Sequence, residues 1–235
     1  MNLTRTPFGV VIQTKDGPLE VRQIIGIGQN YAQHAKEMGG QPPERPVVFA
    51  KSPFCAIPDG EAIVVPKICQ DREQVDFEGE LAVVIGRAAR EVSRANAGEY
   101  ILGYAAANDV SARWWQKTGS GGQFCRGKSF DTFCPLSAVA PAAQVGDPQT
   151  LTLTTRVSGE TMQSSGTSDM IFDVATLVSE LSRGATLLPG TVILTGTPSG
   201  VGTARTPPRY LRDGDVVEVL IDRVGTVRNK VVFER

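Results

Sequence analysis

The stretch Val75-Asp76-Phe77-Glu78-Gly79-Glu80-Leu81-Ala82-Val83-Val84-Ile85-Gly86 sets the tightest limit on how this chain can fold. Its second half is an unbroken apolar run closed by Gly86. The run is short and built of β-branched and aliphatic residues, so it predicts a buried strand. Its first half is acidic. Side chains on a strand alternate between faces, so Glu78 and Glu80 point the same way with only Gly79 between them. Two like charges repel there, at the head of a strand that leads into a core. Either the pair stays in solvent at a sheet edge, or a cation sits between the two carboxylates. Asp76 shares their face and reads equally as a supporting partner or a surface residue.

The rest of the chain is mostly short β patterns separated by turn residues. Gly9 to Leu19 predicts a hairpin turning at Lys15-Asp16-Gly17. Further strands are predicted over Ile24–Gly28, Val47–Lys51, Ile63–Pro66, Ile101–Ala107, Leu151–Val157, Thr161–Ser164, Thr191–Thr195, Val216–Ile221 and Val227–Phe233. The strongest helical pattern is Phe172 to Gly184, where Val174, Ala175, Val178 and Leu181 recur at helical spacing, with Asp173 early and Arg183 late. Ala95–Glu99 reads as a short helix. Many strands and few helices predict an α+β, β-rich fold of sandwich or roll type. Residues 1–21 form a small N-terminal flap on a main domain spanning 22–235.

Charge narrows the function. Among 235 residues, 24 basic and 25 acidic side chains leave a formal net charge of -1, which argues against an electrostatic grip on nucleic acid or a membrane surface. No apolar stretch is long enough to span a bilayer, and Met1–Thr14 lacks the apolar core of a signal peptide. The four cysteines form no Cys-x-x-Cys pair, so they read as reduced thiols of a cytoplasmic protein. His34 is the only histidine, which excludes a multi-histidine metal site.

Four polar segments then stand out. Asn30 to Gly40 predicts a helix with Asn30 as N-cap, Gln33 at the capping-box position and Gly39 as stop. On it, His34 and Glu37 share a face, which makes them either a working imidazole–carboxylate pair or a surface pair. Asp109 falls where a strand becomes a helical turn, with Arg113 and Gln116 on the same face. Asp109 is there either part of a converging polar group or an N-cap with Arg113 as its i,i+4 partner. Lys128 follows a flexible Thr118-Gly119-Ser120-Gly121-Gly122 loop. Gly196-Thr197-Pro198-Ser199-Gly200-Val201-Gly202 is neither a Walker A loop nor a dinucleotide fingerprint, but its N–H groups and the Thr197 hydroxyl can approach a small anion, unless it is simply a tight turn.

Taken in order, these segments read Gly-Gln-Asn-Tyr-x-x-His-x-x-Glu, Val-Asp-Phe-Glu-Gly-Glu-Leu-Ala-Val-Val-Ile-Gly, Asn-Asp-Val-Ser-Ala-Arg-x-x-Gln, Gly-Lys-Ser-Phe-Asp-Thr-Phe-Cys-Pro and Leu-Thr-Gly-Thr-Pro-Ser-Gly-Val-Gly. The set resembles the fumarylacetoacetate hydrolase family from about residue 22 to the end, nearest its single-domain acylpyruvase and isomerase branch. The resemblance implies that family's mixed β-sandwich roll and a homodimer. It also implies Glu78, Glu80 and Asp109 as metal ligands, His34 and Glu37 as a general-base dyad on a lid helix, and Lys128, Arg113, Gln116, Thr197 and Gly196 lining the substrate site. Two positions depart from the pattern: Gln29 stands where relatives commonly carry Arg, and Trp114 where many carry Asp. Both bear on substrate preference.

An all-carboxylate ligand set suits Mg²⁺, with Mn²⁺ or Ca²⁺ as alternatives. A 2-oxo acid can chelate such an ion, which stabilises an enolate. The first expectation is therefore a metal-dependent hydrolase that cleaves a C–C bond in acylpyruvate-type substrates, with His34 activating water. The same site suits keto–enol tautomerisation or isomerisation, or decarboxylation of oxaloacetate. A different class of reading, a catalytically silent ligand-binding relative, has no need to keep both the dyad and the carboxylate triad.

Overall fold

The run predicted to be a core strand forms as Gly79–Ile85, and every residue in it is buried. A computed structural model describes all 235 residues, Met1–Arg235. The strand is covered on both faces because its side chains feed two separate cores. Ala82 and Val84 join one apolar cluster, with Ala105, Ala107, Val192 and Leu194. Leu81, Val83 and Ile85 join the other, with Tyr104, Ala106, Ile25, Ile27 and Ile193. The period-two alternation thus serves two interiors, which is why the segment tolerates no polar residue past Glu80.

Gly79–Ile85 lies in the middle of an eight-stranded mixed sheet, between Thr191–Leu194 and Ile101–Asn108. Beyond Thr191–Leu194 come Gln23–Gly28, paired parallel to it, and then Val47–Lys51. On the other side Ile101–Asn108 pairs with Cys134–Leu136, which pairs parallel with Ala56–Pro58. A second sheet of five strands runs Glu160–Gly166, Thr152–Val157, Val216–Ile221, Gly225–Phe233 and Ile63–Val65. It supplies Val157, Val217 and Val231 to the first core and Leu153, Val219, Ile221 and Val227 to the second. The result is the β-rich roll that the strand pattern predicts.

The antiparallel register between Gly79–Ile85 and Ile101–Asn108 fixes where the acidic residues meet. Ala107 stands opposite Glu80 and Asn108 opposite Gly79. One step further, Asp109 N–H donates to the Glu78 carbonyl at 2.8 Å. Asn108 Oδ1 accepts from Glu78 N–H at 3.0 Å. Acids that are about thirty residues apart in sequence are thereby placed side by side.

Several local expectations change. The N-terminal hairpin is a three-stranded sheet, Leu3–Thr6, Gly9–Thr14 and Gly17–Glu20, whose Val10 and Ile12 enter the first core. Helix α1 is only Ala32–Glu37, with Tyr31 at its N-cap position and no side-chain cap. Asn30 instead donates to the carbonyls of Phe172 and Thr195 and accepts from Phe172 N–H. Tertiary partners override the local capping role of Asn30. The pattern over Phe172–Gly184 yields a helix Val174–Leu181, with Asp173 accepting from Thr176 N–H at 2.7 Å. Residues Ala95–Glu99 lie within a 3-10 helix, Arg94–Tyr100. All four thiols are free, and no helix is long and apolar enough to cross a membrane.

Gly79 has to lack a side chain. A Cβ there would collide with the Thr155 hydroxyl of the second sheet and crowd Val219. Gly79→Ala is therefore expected to lower stability by about 1–3 kcal/mol through overpacking, read as a shift in the urea midpoint. An unchanged midpoint would show that the two sheets do not meet this tightly at the acidic pair.

Candidate metal centre and active site

Three elements deliver the acids. Glu78 and Glu80 come from the head of the central strand and Asp109 from the end of its neighbour. Asp76 comes from the two-residue strand Val75–Asp76, which pairs with Ser111–Ala112. None is exposed: Asp76 and Asp109 are 0%, Glu80 1% and Glu78 5% accessible. The solvent-exposed reading of the acidic pair is excluded. One ligand oxygen from each of Glu78, Glu80 and Asp109 lies within 4.8 Å of the others.

Burying carboxylates requires compensation, and the fold provides three cations. Helix α2, Arg113–Gln116, begins with Arg113, whose Nε and Nη2 donate to Asp76 Oδ2 at 2.9 and 2.7 Å. Its Nη1 donates to Glu78 Oε1 at 2.6 Å and to Gln116 Oε1 at 3.1 Å. Helix α3, Phe124–Lys128, ends with Lys128, which donates to Glu78 Oε2 (2.7 Å), Asp109 Oδ2 (2.6 Å) and Ser111 Oγ (2.9 Å). Lys51 donates to Asp109 Oδ1 and to the Phe133 carbonyl. The possible Asp109–Arg113 i,i+4 pair does not form, because Asp109 is taken by two lysines and Arg113 by Asp76 and Glu78. Asp76 is a supporting residue: Gly202 N–H and Thr203 N–H also donate to it, at 2.8 and 3.0 Å.

Glu80 is the exception. Its one hydrogen bond comes from Gly196 N–H, at 2.7 Å, and no cation pairs with it. Burial pushes its carboxyl well above the ordinary range, and neighbouring Asp109 and then Glu78 push it further. Burial acts the same way on Glu78, but Lys128 and then Arg113 outweigh it and hold Glu78 well below that range. Four carboxylates against three cations leave one negative charge uncompensated in a dry site. That deficit, with all-oxygen donors close together, fits a hard divalent cation.

Opposite the triad, His34 is 6% exposed on α1, and its Nδ1 bonds Glu37 Oε1 at 2.8 Å. Glu37 is itself held by Gly200 N–H, at 3.2 and 3.0 Å to its two oxygens. The surface-pair reading of His34 and Glu37 is thereby excluded. His34, Glu78, Glu80, Arg113, Gln116, Lys128 and Thr197 line one cavity of about 100 Å³ together with Gln29, Met38, Phe49, Lys117 and Phe124. One water needs roughly 10–15 Å³ on such a measure, so the space suits a small acid rather than a large ligand.

The Gly196–Gly202 loop differs from the expectation. Gly196 N–H is committed to Glu80, and the Thr197 hydroxyl donates to the Gly79 carbonyl and accepts from Gln163. These groups shape the site rather than offer free donors to an anion. Gln29 reaches the cavity wall from a left-handed backbone, φ 58°. Trp114 does not line the cavity; it packs edge-on with Trp115, and Arg72 lies over it at 4.7 Å. Sequence reasoning missed Lys51 as part of the cluster. Its signal was a lysine closing the alternating strand Val47–Lys51 on the same face as buried Phe49.

Known proteins resemble this chain along most of its length. Residues 23–232 match the family described as fumarylacetoacetate (FAA) hydrolase C-terminal. The chain is 44% identical over 217 residues to the oxaloacetate tautomerase YisK of Bacillus subtilis (strain 168), covering 91% of this chain and 71% of that protein. Its fold superposes on 5-carboxymethyl-2-hydroxymuconate delta-isomerase from Mycobacterium smegmatis with a TM-score of 0.80 at 40% identity, over 96% of this chain and 80% of the other. It also superposes on fumarylpyruvate hydrolase from Pseudomonas aeruginosa, solved with Mn2+ and pyruvate, with a TM-score of 0.86 at 32% identity over 100% of both.

The charge deficit makes a test with a worked sign. The raised Glu80 carboxyl holds its proton more tightly in the fold than in the unfolded chain. Its contribution to metal-free stability is full below the ordinary carboxylate range and is lost progressively as pH rises from that range up through the raised value that Glu80 has in the fold. Glu80→Gln is expected to flatten that loss, to leave metal-free stability equal or higher, and to abolish the rise in Tm on adding Mn²⁺. Thermal melts with and without Mn²⁺ between about pH 4 and 8 read all three. A variant that keeps the Mn²⁺ shift would remove Glu80 from the ligand set.

Proposed function

The chain belongs to the fumarylacetoacetate hydrolase family, and on that basis we propose that it is a divalent-metal-dependent keto–enol tautomerase of small 2-oxo acids of the oxaloacetate type. The observation that carries the reading is one arrangement. Glu78 and Glu80 of a buried, charge-deficient carboxylate triad line a cavity sized for a small acid together with His34, the imidazole of a single imidazole–carboxylate pair. Tautomerisation asks for little more: one group to move a proton, and positive potential where charge develops.

Glu78, Glu80 and Asp109 would hold the ion, which when bound supplies Lewis-acid polarisation of the 2-oxo group. The remaining work falls to side chains. Glu37 accepts the Nδ1 proton of His34, which leaves the Nε2 lone pair as proton acceptor. In this reading Nε2 takes a proton from the carbon beside the 2-oxo group, leaving an enolate whose oxygen takes a proton from water to give the enol; in the other direction the enol O–H proton goes to water and Nε2 returns its proton to carbon. Lys128 acts through its charge, because Glu78, Asp109 and Ser111 take its donors, and Arg113 keeps a single Nη2 N–H beyond those held by Asp76, Glu78 and Gln116. Gln116 uses only its carbonyl oxygen, on Arg113, so its amide N–H groups remain for the substrate. The α1 helix and the Gly196–Gly202 loop are joined through Glu37 and Gly200, which holds the His34–Glu37 pair in place.

Hydrolysis of acylpyruvates, which the motifs alone place first, becomes the second reading. It is favoured by the similarity to fumarylpyruvate hydrolase along the full length of both chains, and His34 Nε2 would then activate water. The identity to an oxaloacetate tautomerase and the small cavity favour the first.

With Mg²⁺ or Mn²⁺ present, the protein is expected to speed the decay of the ultraviolet absorbance of enol-oxaloacetate. His34→Ala is expected to lower that rate by about 10²- to 10⁴-fold while retaining the Mn²⁺ thermal shift. Pyruvate assays on oxaloacetate and on an acylpyruvate run in parallel. Pyruvate release from the acylpyruvate without enol–keto acceleration would replace the tautomerase reading with hydrolysis, and release from oxaloacetate alone with decarboxylation.

A further inference from the structure

The cavity wall carries three lysine or arginine cations: Arg113, Lys117 and Lys128. Two of them are already engaged. Lys128 has three N–H groups, and Glu78, Asp109 and Ser111 take them. Arg113 is held by Asp76, Glu78 and Gln116. Lys117 is different. Its side chain is exposed at the rim of the cavity and makes no hydrogen bond or ion pair with any residue.

The root of Lys117 is nevertheless fixed. Its N–H donates to the carbonyls of Arg113 and Trp114, both at 3.2 Å, and its carbonyl accepts from Gly122 N–H at 2.7 Å. Behind it, Gly127 of α3 packs so closely on the backbone of Gln116 that any side chain at 127 would collide. A pinned backbone with a free ammonium at the mouth of a site is a recognition element with little of its own ordering cost left in the main chain.

Charge balance says what it would recognise. With Glu80 ionised, as a metal ligand must be, the buried cluster of four carboxylates and three cations carries one excess negative charge. A divalent cation turns that into one excess positive charge, which the carboxylate beside the 2-oxo group of a substrate cancels. A second carboxylate on the same substrate then has no counter-charge inside the cluster, and Lys117 is the uncommitted cation on the wall. Gln29, Met38, Phe49 and Phe124, which also line the cavity, carry no charge.

We propose that Lys117 binds the distal carboxylate of the substrate and so selects 2-oxo diacids over 2-oxo monoacids of equal length. The proposal rests on the 2-oxo acid reading of the site, but its test does not require turnover. Malate and 2-hydroxybutanoate differ only by a distal carboxylate in place of a methyl group, and neither has a carbonyl to tautomerise. Calorimetric titration of the Mn²⁺-loaded protein is expected to give about 10-fold tighter binding of malate, the scale of one charge-assisted hydrogen bond. Lys117→Met is expected to bring the two acids within about 2-fold by weakening malate alone, and Lys117→Arg to keep most of the preference. A wild type that does not prefer malate overturns the proposal. So does a Lys117→Met variant that keeps the preference or loses both acids equally. Selective binding without enol–keto acceleration would sink the tautomerase reading and leave the role of Lys117 standing.

Discussion

The arrangement at the centre of this protein depends on one imbalance, four buried carboxylates held against three buried cations. Each member of the cluster is tolerable only because of the others. Removing Arg113 would leave Asp76 with backbone donors alone, and removing Lys51 or Lys128 would widen the charge deficit in a low-dielectric interior, a cost met by a carboxylate neutralising itself or by the fold opening. The deficit falls on Glu80 because its one neighbour with a proton to offer is a backbone N–H. A site with this balance is unfinished without a cation, and the hardness of its donors narrows which cations serve.

The Gly196–Gly202 loop imposes a second constraint. Three of its backbone N–H groups hold acids from three different elements: Gly196 on Glu80, Gly200 on Glu37 and Gly202 on Asp76. The glycines are where the main chain must come close. A Cβ at 202 would meet Asp76 and the Arg209 backbone, and one at 196 would meet Asn30. The loop therefore ties the triad, its supporting acid and the His34–Glu37 pair into one rigid unit. Positioning of the proton-transfer group and of the ligand carboxylates is one structural problem here, solved once.

Much of this is legible in the sequence, for identifiable reasons. The central strand is readable because a short apolar run bounded by acids and glycine has few other fates. The His34–Glu37 pair is readable because three-residue spacing survives in a helix as short as Ala32–Glu37. Other features are not. Asn30 has every local mark of an N-cap, yet its side chain bridges Phe172 and Thr195, well over a hundred residues away in sequence. Arg113 stands four residues from Asp109 and yet serves Asp76 and Glu78. Lys51 gives no local sign of its partner, because Asp109 reaches it only through the stacking order of the sheet.

The sequence by itself determined where the longer strands lie, that the fold is β-rich, and which residue types are available for chemistry: oxygen ligands, one imbalanced acidic pair and a single histidine. Those follow from periodicity and from side-chain chemistry, which are local. Only the tertiary structure decided which acids are paired and which is left bare. That outcome depends on strand register, which sets Asp109 beside Glu78, and on burial, which turns a solvated pair of glutamates into a charge deficit. Register and burial are properties of the assembled sheets, so no stretch of the chain carries them alone.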